Sequence, residues 1–394
     1  ALGAQRIPDP TTAGDFCRRF DGWKIHQLME IFNRARIKVW QQQPEEFLEQ
    51  AVIEGDGTMV ETYGECKEGA DFNYQGQYGY HPLVITLANT NEILYLLNRS
   101  GNRPSHERAS GYFDRSIALC RRAGFRNIRL RGDTDFSQTE YLDGWDADGI
   151  KFVFGYDATE NLYEAAECLE LSAWRELQRR PRYEVKTTPR GRRENHKEQT
   201  VERRNYKNIK LEKEWIAEFL YRPTACKKEY RVVVVWKDLA EHKGQQKLWD
   251  LNRCFFYITN DWSISAEEVV FEANQRCNQE NVIQQDKNGV HALKAPLDNL
   301  ESNWAYMVIA TLAWNLKAWA ALLMPAEGRW KERHAAEKRA LLRMDFVTFR
   351  HALINIPAQI VRSGRKLIYR LLGWNRWQPA FFRLLDQLNH PLRC

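Results

Sequence analysis

The stretch 263–289 carries the strongest local folding signals in this chain of 394 residues. Ser265, followed three residues later by Glu268, is a capping-box pattern that begins helices, and Gly289 is a residue type that often ends them. Neither Pro nor Gly interrupts the sequence between these ends. The stretch therefore predicts one continuous helix of about six turns.

One face of this predicted helix carries alternating charges. Arg276, Glu280 and Lys287 follow one another at intervals of four and seven residues. These intervals place the three side chains within roughly 40° of each other around the helix axis. The pattern has two interpretations: a solvated face with intrahelical ion pairs, which is the common case, or a carboxylate flanked by cations that bind phosphate.

Charge is strongly segregated along the chain, although the net charge is only +6. Residues 179–210 hold 12 Lys and Arg against 4 acidic residues, and residues 329–394 hold 14 against 4. The remainder of the chain is therefore net acidic. A basic periphery around an acidic centre favours an enzyme that acts on nucleic acid over a uniformly basic binding protein. Arg190, Arg192 and Arg193, in the first basic segment, are candidates for contacting phosphates.

Other features of the sequence argue against several protein classes. The eight cysteines form no C-x-x-C pair and have no His at ligand spacing, which argues against a zinc site or a disulfide framework. The apolar run 304–324 is long enough to span a membrane, but Asn315 and Lys317 within it favour a buried helix. We therefore expect no membrane partner. Because the chain begins with Ala1 rather than Met, we also expect that an N-terminal part is missing.

The pattern of elements from residue 51 to residue 156 predicts a mixed α/β sheet. Three strands, joined by turn signals into an antiparallel meander, precede a helix, a strand, a short helix and a last strand: 51–61, 78–88, 93–97, 105–123, 126–130, 138–143 and 151–154. This order is that of a ribonuclease-H-like sheet, with the first strand central and the fourth beside it. Asp56 would lie on the first strand. Asp133 would lie at the carboxyl end of the fourth, where α/β sheets bind ligands.

The whole chain divides into five predicted segments. Residues 1–50 form an N-terminal helical region. Residues 51–156 and 251–325 form the two parts of the α/β core, separated by a basic, β-rich insertion at 157–250. Residues 326–394 form a basic helical C-terminal region.

Three carboxylates on separate elements of one fold form the donor set of a two-metal site for phosphoryl transfer. Asp56 would bridge two Mg²⁺ ions, and Asp133 and Glu280 would hold one each. Beside Glu280, Arg276 and Lys287 would neutralise phosphates, the first through a bidentate fork and the second as a point charge.

Each of these assignments has an alternative. Asp56 could instead lie in a turn, and Asp133 could cap the helix that follows it. Asp135 or Asp157 could take the place of Asp133, and Glu272 could be the functional acid of the predicted helix.

The residues around these acids resemble the DDE transposases of bacterial insertion sequences. One branch of that family carries a Tyr, Arg, Glu and Lys signature on its last catalytic helix. Arg276, Glu280 and Lys287 lie at the intervals of that signature, while Ala273 stands where the family has Tyr.

The first two acids also match motifs of the family. Asp56, followed by Gly and Thr, matches the first Asp motif, and Asp133, in the run R-G-D-T-D-F, matches the second. The run 79–83 (G-Y-H-P-L) and the segment 303–316 also resemble this branch. The resemblance covers about residues 9 to 390.

The resemblance implies a ribonuclease-H-like core and a specific reaction. Two Mg²⁺ ions, which Mn²⁺ can replace, would support cleavage at the inverted repeats that end a mobile element, and the freed 3′-hydroxyl would attack target DNA. The partners implied are double-stranded DNA and a second copy of the chain, in the cytoplasm of a bacterium at its nucleoid. The tryptophans of the insertion would stack on an extruded base or pack within the insertion: Trp174, Trp215, Trp236 and Trp249.

Two other functions remain open at this point. A nuclease or resolvase of the ribonuclease-H group would hydrolyse DNA without joining strands. An inactive remnant would bind DNA without cutting it.

Overall fold

The computed structural model describes residues 9–179, 199–200, 203–204, 207–243 and 246–388. The chain forms two compact units. The first unit comprises Ala1–Leu130 and Arg276–Cys394, and the second comprises Arg131–Gln275. The chain therefore passes from one unit to the other after Leu130 and returns after Gln275.

Helices in the described part of the chain are of the lengths expected for an α/β protein. They are α1 (Pro10–Cys17), α2 (Gly22–Trp40), α3 (Ala109–Ala123), α4 (Thr139–Ala147), α5 (Glu160–Glu167), α6 (Ala266–Asn274), α7 (Cys277–Asn288), α8 (Leu300–Leu323), α9 (Lys331–Arg343), α10 (Phe346–Phe349) and α11 (Gln378–Leu388).

The strands range from two to fifteen residues in length. They are β1 (Gln50–Gly57), β2 (Val60–Glu61), β3 (Asp71–Phe72), β4 (Tyr78–Tyr80), β5 (Leu83–Leu87), β6 (Glu92–Leu97), β7 (Asn127–Gly132), β8 (Lys151–Tyr156), β9 (Arg175–Glu176), β10 (Lys207–Tyr221), β11 (Tyr230–Lys243), β12 (Gln246–Thr259), β13 (Ala358–Ser363) and β14 (Lys366–Leu371).

The first unit contains the predicted meander. Its main sheet has the strand order β6-β5-β1-β7, so β1 lies between β5 and β7. Both β1–β5 and β5–β6 are antiparallel, which confirms the prediction for the first three strands. Two predicted strands are each divided: β2 and β4 leave the main sheet and form a smaller one with β3, in the order β2-β4-β3. Helix α3 is followed by Gly124, whose φ of +103° favours glycine.

The core of the first unit is organised around a buried carboxylate. Glu92 is fully buried at the start of β6 and accepts four hydrogen bonds. Arg36 Nε (3.0 Å) and Trp319 Nε1 (2.6 Å) donate to its Oε1 atom. Trp40 Nε1 (2.8 Å) and Thr90 Oγ1 (2.7 Å) donate to Oε2. One side chain thus joins α2, α8 and the sheet.

Helix α8 is the predicted buried helix of the apolar run 304–324. Within the described residues it is the one helix long and apolar enough to cross a membrane, and 56% of its most apolar window is buried inside the protein. Lys317, which is buried, donates to the carbonyls of Leu342 (3.0 Å) and Met344 (2.6 Å) at the end of α9. The charge in this apolar helix therefore serves to bind the end of a neighbouring helix.

The second unit is built on an extended sheet. Its strand order is β7-β8-β12-β11-β10-β9, with β8, β12, β11, β10 and β9 all paired antiparallel. Strands β9, β10 and β11 and the start of β12 lie within the segment 157–250, which is predicted to be β-rich. A core of small and branched side chains packs α6 against this sheet: Val153, Leu177, Ile216, Val233, Val235, Ala266, Val269 and Val270.

The prediction of one continuous helix over 263–289 is wrong. Ser265 and Glu268 do form the capping box that begins α6, and Gly289 does follow the end of α7. The structure nevertheless has two helices, α6 and α7, separated by Gln275 and Arg276. Both residues keep right-handed helical backbone angles (φ/ψ of −65°/−14° and −51°/−26°), so the interruption is confined to these two positions.

The C-terminal region is helical only in part. Helices α9, α10 and α11 agree with the prediction, but residues 358–371, predicted as helix, form the antiparallel pair β13–β14. Gly364 and Arg365, with φ of +54° and +65°, form the two-residue turn between these strands. Positive φ at both positions is typical of hairpin turns, and the flanking isoleucines and valine favour strands.

Replacing Glu92 should destabilise the first unit strongly. We expect Glu92→Ala to lower the free energy of unfolding by about 3–5 kcal/mol, because it leaves the Arg36 guanidinium buried without its partner carboxylate. Urea denaturation followed by tryptophan fluorescence measures this loss. The exposed Glu46→Ala is the matched control and should change stability by less than about 0.5 kcal/mol. If Glu92→Ala lowers the free energy of unfolding no more than Glu46→Ala does, the hydrogen bonds to Glu92 do not stabilise the first unit.

Candidate functional site

Asp56 lies near the end of β1, where the strand is central in its sheet. Its register partner on β5 is Val84, and its side chain is 16% exposed. The next residue, Gly57, lies against the imidazole of His81: a Cβ atom at Gly57 would be 2.9 Å from His81 Cε1 and 3.3 Å from the Cα atom of Ser105. A glycine is therefore required directly after this aspartate for the strand end to pack closely.

Arg276 joins the first and the third of the predicted acids. Its guanidinium nitrogens lie 4.0 Å from Asp56 Oδ2 and 3.5 Å from Glu280 Oε1. The Glu280 side chain is 58% exposed, whereas that of Arg276 is 25% exposed. The structure thus places two predicted carboxylates and one predicted cation together, with Arg276 immediately before α7.

Helix α7 is held against the sheet of the first unit by polar contacts on both sides of Glu280. Gln279, fully buried, donates from Nε2 to the carbonyl of Val84 (3.2 Å), the residue opposite Asp56. Lys287 Nζ donates to the carbonyl of Met59 (2.9 Å). Burial lowers the pKa of Lys287, while the nearby carboxylates of Glu61 and Asp56 act in the opposite direction. Lys287 is therefore beside the acids, but its ammonium group is engaged by the backbone.

A buried carboxylate fixes the far end of α7. Asp286 is fully buried, and its two carboxyl oxygens lie 2.9 and 3.1 Å from Thr311 Oγ1 on α8. Desolvation raises the pKa of Asp286 to about 7. Gln285 donates to Asp345 Oδ1 (3.0 Å) and accepts from the N–H of Phe346 (2.9 Å). These contacts fix the orientation of the helix that carries Glu280.

Asp133 lies in the second unit, one residue after the end of β7, where the sequence predicts it. Its Oδ1 accepts from the N–H of Asp135 (3.1 Å) and so begins the short 3-10 turn Thr134–Phe136. Glycines allow this turn to pack tightly: a Cβ at Gly132 would be 2.7 Å from Phe136 Cβ. The expected cap is thus present, and Asp133 stands at a strand end with its carboxylate partly exposed.

The two remaining features of the predicted signature lie on α6 in the second unit. Glu272, the alternative to Glu280, forms an ion pair with the buried Arg131 (2.9 Å). Ala273, which stands at the Tyr position of the signature, packs against the core between α6 and the sheet. A small residue at this position is explained by this packing.

Some predicted residues have other surroundings or lie outside the described residues. Arg190, Arg192 and Arg193 fall in the undescribed segment 180–198. Trp174 packs edge to face against Trp236, with ring centroids 5.8 Å apart. Trp215 donates to Asp238 Oδ2 (3.1 Å). These three tryptophans therefore contact other parts of the second unit, and the side chain of Trp249 is among those not described.

Two residues beside Asp56 have no role in the sequence prediction. His81 Nδ1 lies 2.8 Å from the carbonyl of Arg103, which fixes the imidazole over Gly57. In the sequence, His81 could have been singled out because it lies in the run 79–83 (G-Y-H-P-L), which resembles the family. Gln279 contacts the strand opposite Asp56, and its Oε1 is buried without a hydrogen-bond partner among the described residues. In the sequence, Gln279 could have been singled out because it directly precedes Glu280.

Carboxylates are the donors that Mg²⁺ prefers, so the chemistry of Asp56 and Glu280 fits a divalent cation. Their shared contact with Arg276 shows that positive charge is favourable at this position. Within the described residues, no group of three or more His, Cys, Asp and Glu side chains is close enough to hold a metal ion. The first unit thus brings two carboxylates, those of Asp56 and Glu280, to one guanidinium.

Comparison with known proteins identifies the family. The family model described as transposase DDE domain, group 1, matches residues 11–392. The chain belongs to this family of DDE transposase domains. No curated protein matches the chain.

Among solved structures, the DDE domain is similar to a piggyBac transposase in a synaptic complex with hairpin DNA. The two chains are 10% identical, with a TM-score of 0.38. The match covers 78% of this chain, which spans about half (55%) of the length of the other.

The contact between Gly57 and His81 can be tested by adding one methyl group. We expect Gly57→Ala in the DDE domain to cost about 1–3 kcal/mol of stability, because the Cβ meets the imidazole and a backbone Cα. Thermal unfolding measures the loss. Gly111→Ala, in α3 with no atom within 4 Å of its Cβ, is the control and should stabilise by roughly 0.5–1 kcal/mol. An unchanged melting temperature for Gly57→Ala would contradict the close packing.

The buried Asp286 predicts a pH dependence of stability. Its native pKa, about 7, lies above the usual aspartate value of 3.8, so between these values the native state keeps a proton that the unfolded state has lost. This contribution to stability is complete below pH 3.8 and is lost as the pH rises to about 7. Urea denaturation at pH 5 and at pH 8 measures this effect. Between these two pH values the free energy of unfolding should fall less for Asp286→Asn than for the wild-type protein. The exposed Asp15→Asn should behave as wild type, and an equal loss in all three proteins would contradict the assignment.

Proposed function

We propose that this DDE domain is a DNA transposase of the insertion-sequence type, with Asp56, Asp133 and Glu280 as the ligands of two Mg²⁺ ions. The observation that carries the proposal is the convergence of Asp56 and Glu280 on Arg276, in a chain that belongs to the DDE transposase domains. Asp133, at the end of the strand next to β1, is the family's remaining acid by its motif.

Divalent metal ions, which DDE transposase domains generally use, polarise the phosphate and activate the attacking oxygen when bound. The residues of the chain orient the reacting groups. Glu280 is exposed at the first turn of a helix whose other contacts are buried, so its carboxylate is held in place but accessible. Arg276 can offer its fork to a phosphate, because a guanidinium binds phosphate and carboxylate with similar geometry.

Lys287 contributes a fixed positive charge to the proposed site. Its hydrogen bond to Met59 keeps the ammonium group near Asp56 and Glu61. We propose that it acts on a phosphate through its field. The basic segment 179–210, with Arg190, Arg192 and Arg193, remains a proposed contact for duplex DNA on the basis of its charge.

Replacing any of the three acids should abolish cleavage and leave DNA binding intact. We expect Asp56→Asn, Asp133→Asn and Glu280→Gln each to lower Mg²⁺-dependent cleavage of the element ends by at least about 10²–10³-fold, since a metal ligand supports several kcal/mol of transition-state stabilisation. Cleavage of labelled DNA and a binding titration, run on the same preparations, measure the two properties separately.

Two exposed aspartates provide matched controls. Asp135→Asn and Asp157→Asn remove the same charge at the alternative positions and should cut at the wild-type rate. Wild-type cleavage by any of the three acid variants would exclude that residue from the site. If the wild-type protein cuts DNA but never joins the 3′ end to a second duplex, it is a nuclease or resolvase. If it binds DNA and does not cut, it is an inactive remnant.

A further inference from the structure

The hairpin β13–β14 is exposed on both of its faces. In this antiparallel pair Ile360 lies opposite Tyr369, and Arg362 lies opposite Leu367. On this face Ile360, Leu367 and Tyr369 are 60%, 49% and 55% exposed, and on the opposite face Ile368 is 39% exposed. A two-stranded hairpin is marginally stable when neither face is covered. A ribbon of this kind therefore needs a partner that covers it.

The segments before and after the hairpin are packed into the first unit, whereas the turn of the hairpin is exposed. Ala352 and Leu353 before the hairpin, and Ala380 after it, are buried. Asn375 Nδ2 donates to the carbonyl of Ala352 (2.7 Å) and joins the two flanking segments. All residues from 362 to 370, including the turn, are exposed. The ribbon is thus an arm with an ordered base.

The charge of the arm selects its partner. Arg362, Arg365, Lys366 and Arg370 lie on the ribbon, and residues 346–385 contain no Asp or Glu. Two copies of such a ribbon would repel one another, so charge disfavours a contact between identical arms. Duplex DNA offers a dense row of negative charges, and its major groove is wide enough for a two-stranded β-ribbon.

We propose that the hairpin 358–371 is a DNA-binding arm, whose four cations contact backbone phosphates while the exposed aliphatic side chains lie against the walls of the groove. This inference rests on the proposed function, because that function makes DNA the partner. The surface itself, residues 358–371, lies in a part of the sequence that contains none of the candidate acids. It requires no cleavage and no metal ion.

The test is the salt dependence of binding, measured with the full chain in the presence of EDTA. The probe is a fluorescent duplex of mixed sequence, about three helical turns long, titrated at several KCl concentrations. The arm variant combines Arg362→Gln, Arg365→Asn, Lys366→Gln and Arg370→Gln; Asn is chosen at position 365 because it tolerates the positive φ there. Each lost phosphate contact lowers the slope of log K against log salt by about 0.9, so the slope should fall by about three to four.

A control variant removes the same charge from other exposed positions. Lys24, Arg34, Arg103 and Arg126 are exposed and already paired with carboxylates of the same chain. Their replacement by Gln should change the slope by less than one. The single variant Lys366→Gln should lower the salt slope by about one. This variant tests the proposal if the fourfold variant melts below the assay temperature.

An unchanged slope in the arm variants would overturn the proposal. If the arm variants keep the wild-type slope but form a smaller oligomer than the wild-type protein by light scattering, the proposal is also overturned. The arm would then contact another copy of the chain. The result is independent of the proposed chemistry: Asp56→Asn should keep the wild-type slope, whether or not it cuts DNA.

Discussion

The buried carboxylate of Glu92 is the interaction on which the first unit depends. Removing a charge from water is costly, and it is tolerated only where partners satisfy it fully. Glu92 receives hydrogen bonds from a guanidinium, two indoles and a hydroxyl, which come from α2, from α8 and from the turn that precedes β6. Because the geometry of four donors has to be met at once, these elements have one mutual arrangement rather than several.

Helix α8 carries this constraint from the sheet to the site. Trp319, Asn315 and Thr311 are spaced by four residues and so share one face of the helix. Trp319 bonds Glu92, and Asn315 exchanges two hydrogen bonds of 2.9 Å with the backbone of Ile93. Thr311 bonds Asp286 on α7. A ladder of polar contacts within an apolar helix thus links the start of β6 to the helix of Glu280.

Much of the fold follows from local signals in the sequence. The capping box at Ser265, the helix end at Gly124 and the antiparallel meander are determined by residues close to one another in the chain. The Arg276–Glu280 pair is local as well, since its two residues lie about one helical turn apart. Asp56 and Asp133 are recognised from the short motifs around them, whereas the central position of β1 depends on strands distant in the chain.

What the sequence could not predict depends on contacts between distant residues. Gln275 and Arg276 are not helix-breaking residues, and the sequence around them does not indicate the interruption between α6 and α7. The surroundings of Ala273 could not be predicted either, because the core that it packs against includes strands far away in the chain. The hairpin was missed because its basic residues resemble a solvated helix, and its turn depends on Arg365 adopting a positive φ. The roles of His81 and Gln279 depend on their contacts with β1 and β5, which no motif specifies.

The position of Arg276 explains how a carboxylate site can exist in a stably folded chain. Carboxylates that lie close together repel one another unless positive charge is present beside them. Asp56 and Glu280 are both within 4.0 Å of the Arg276 guanidinium, so the chain supplies this charge itself. Lys287 adds to it from a fixed position. Arg276 therefore supplies positive charge to both of the proposed acids in the first unit.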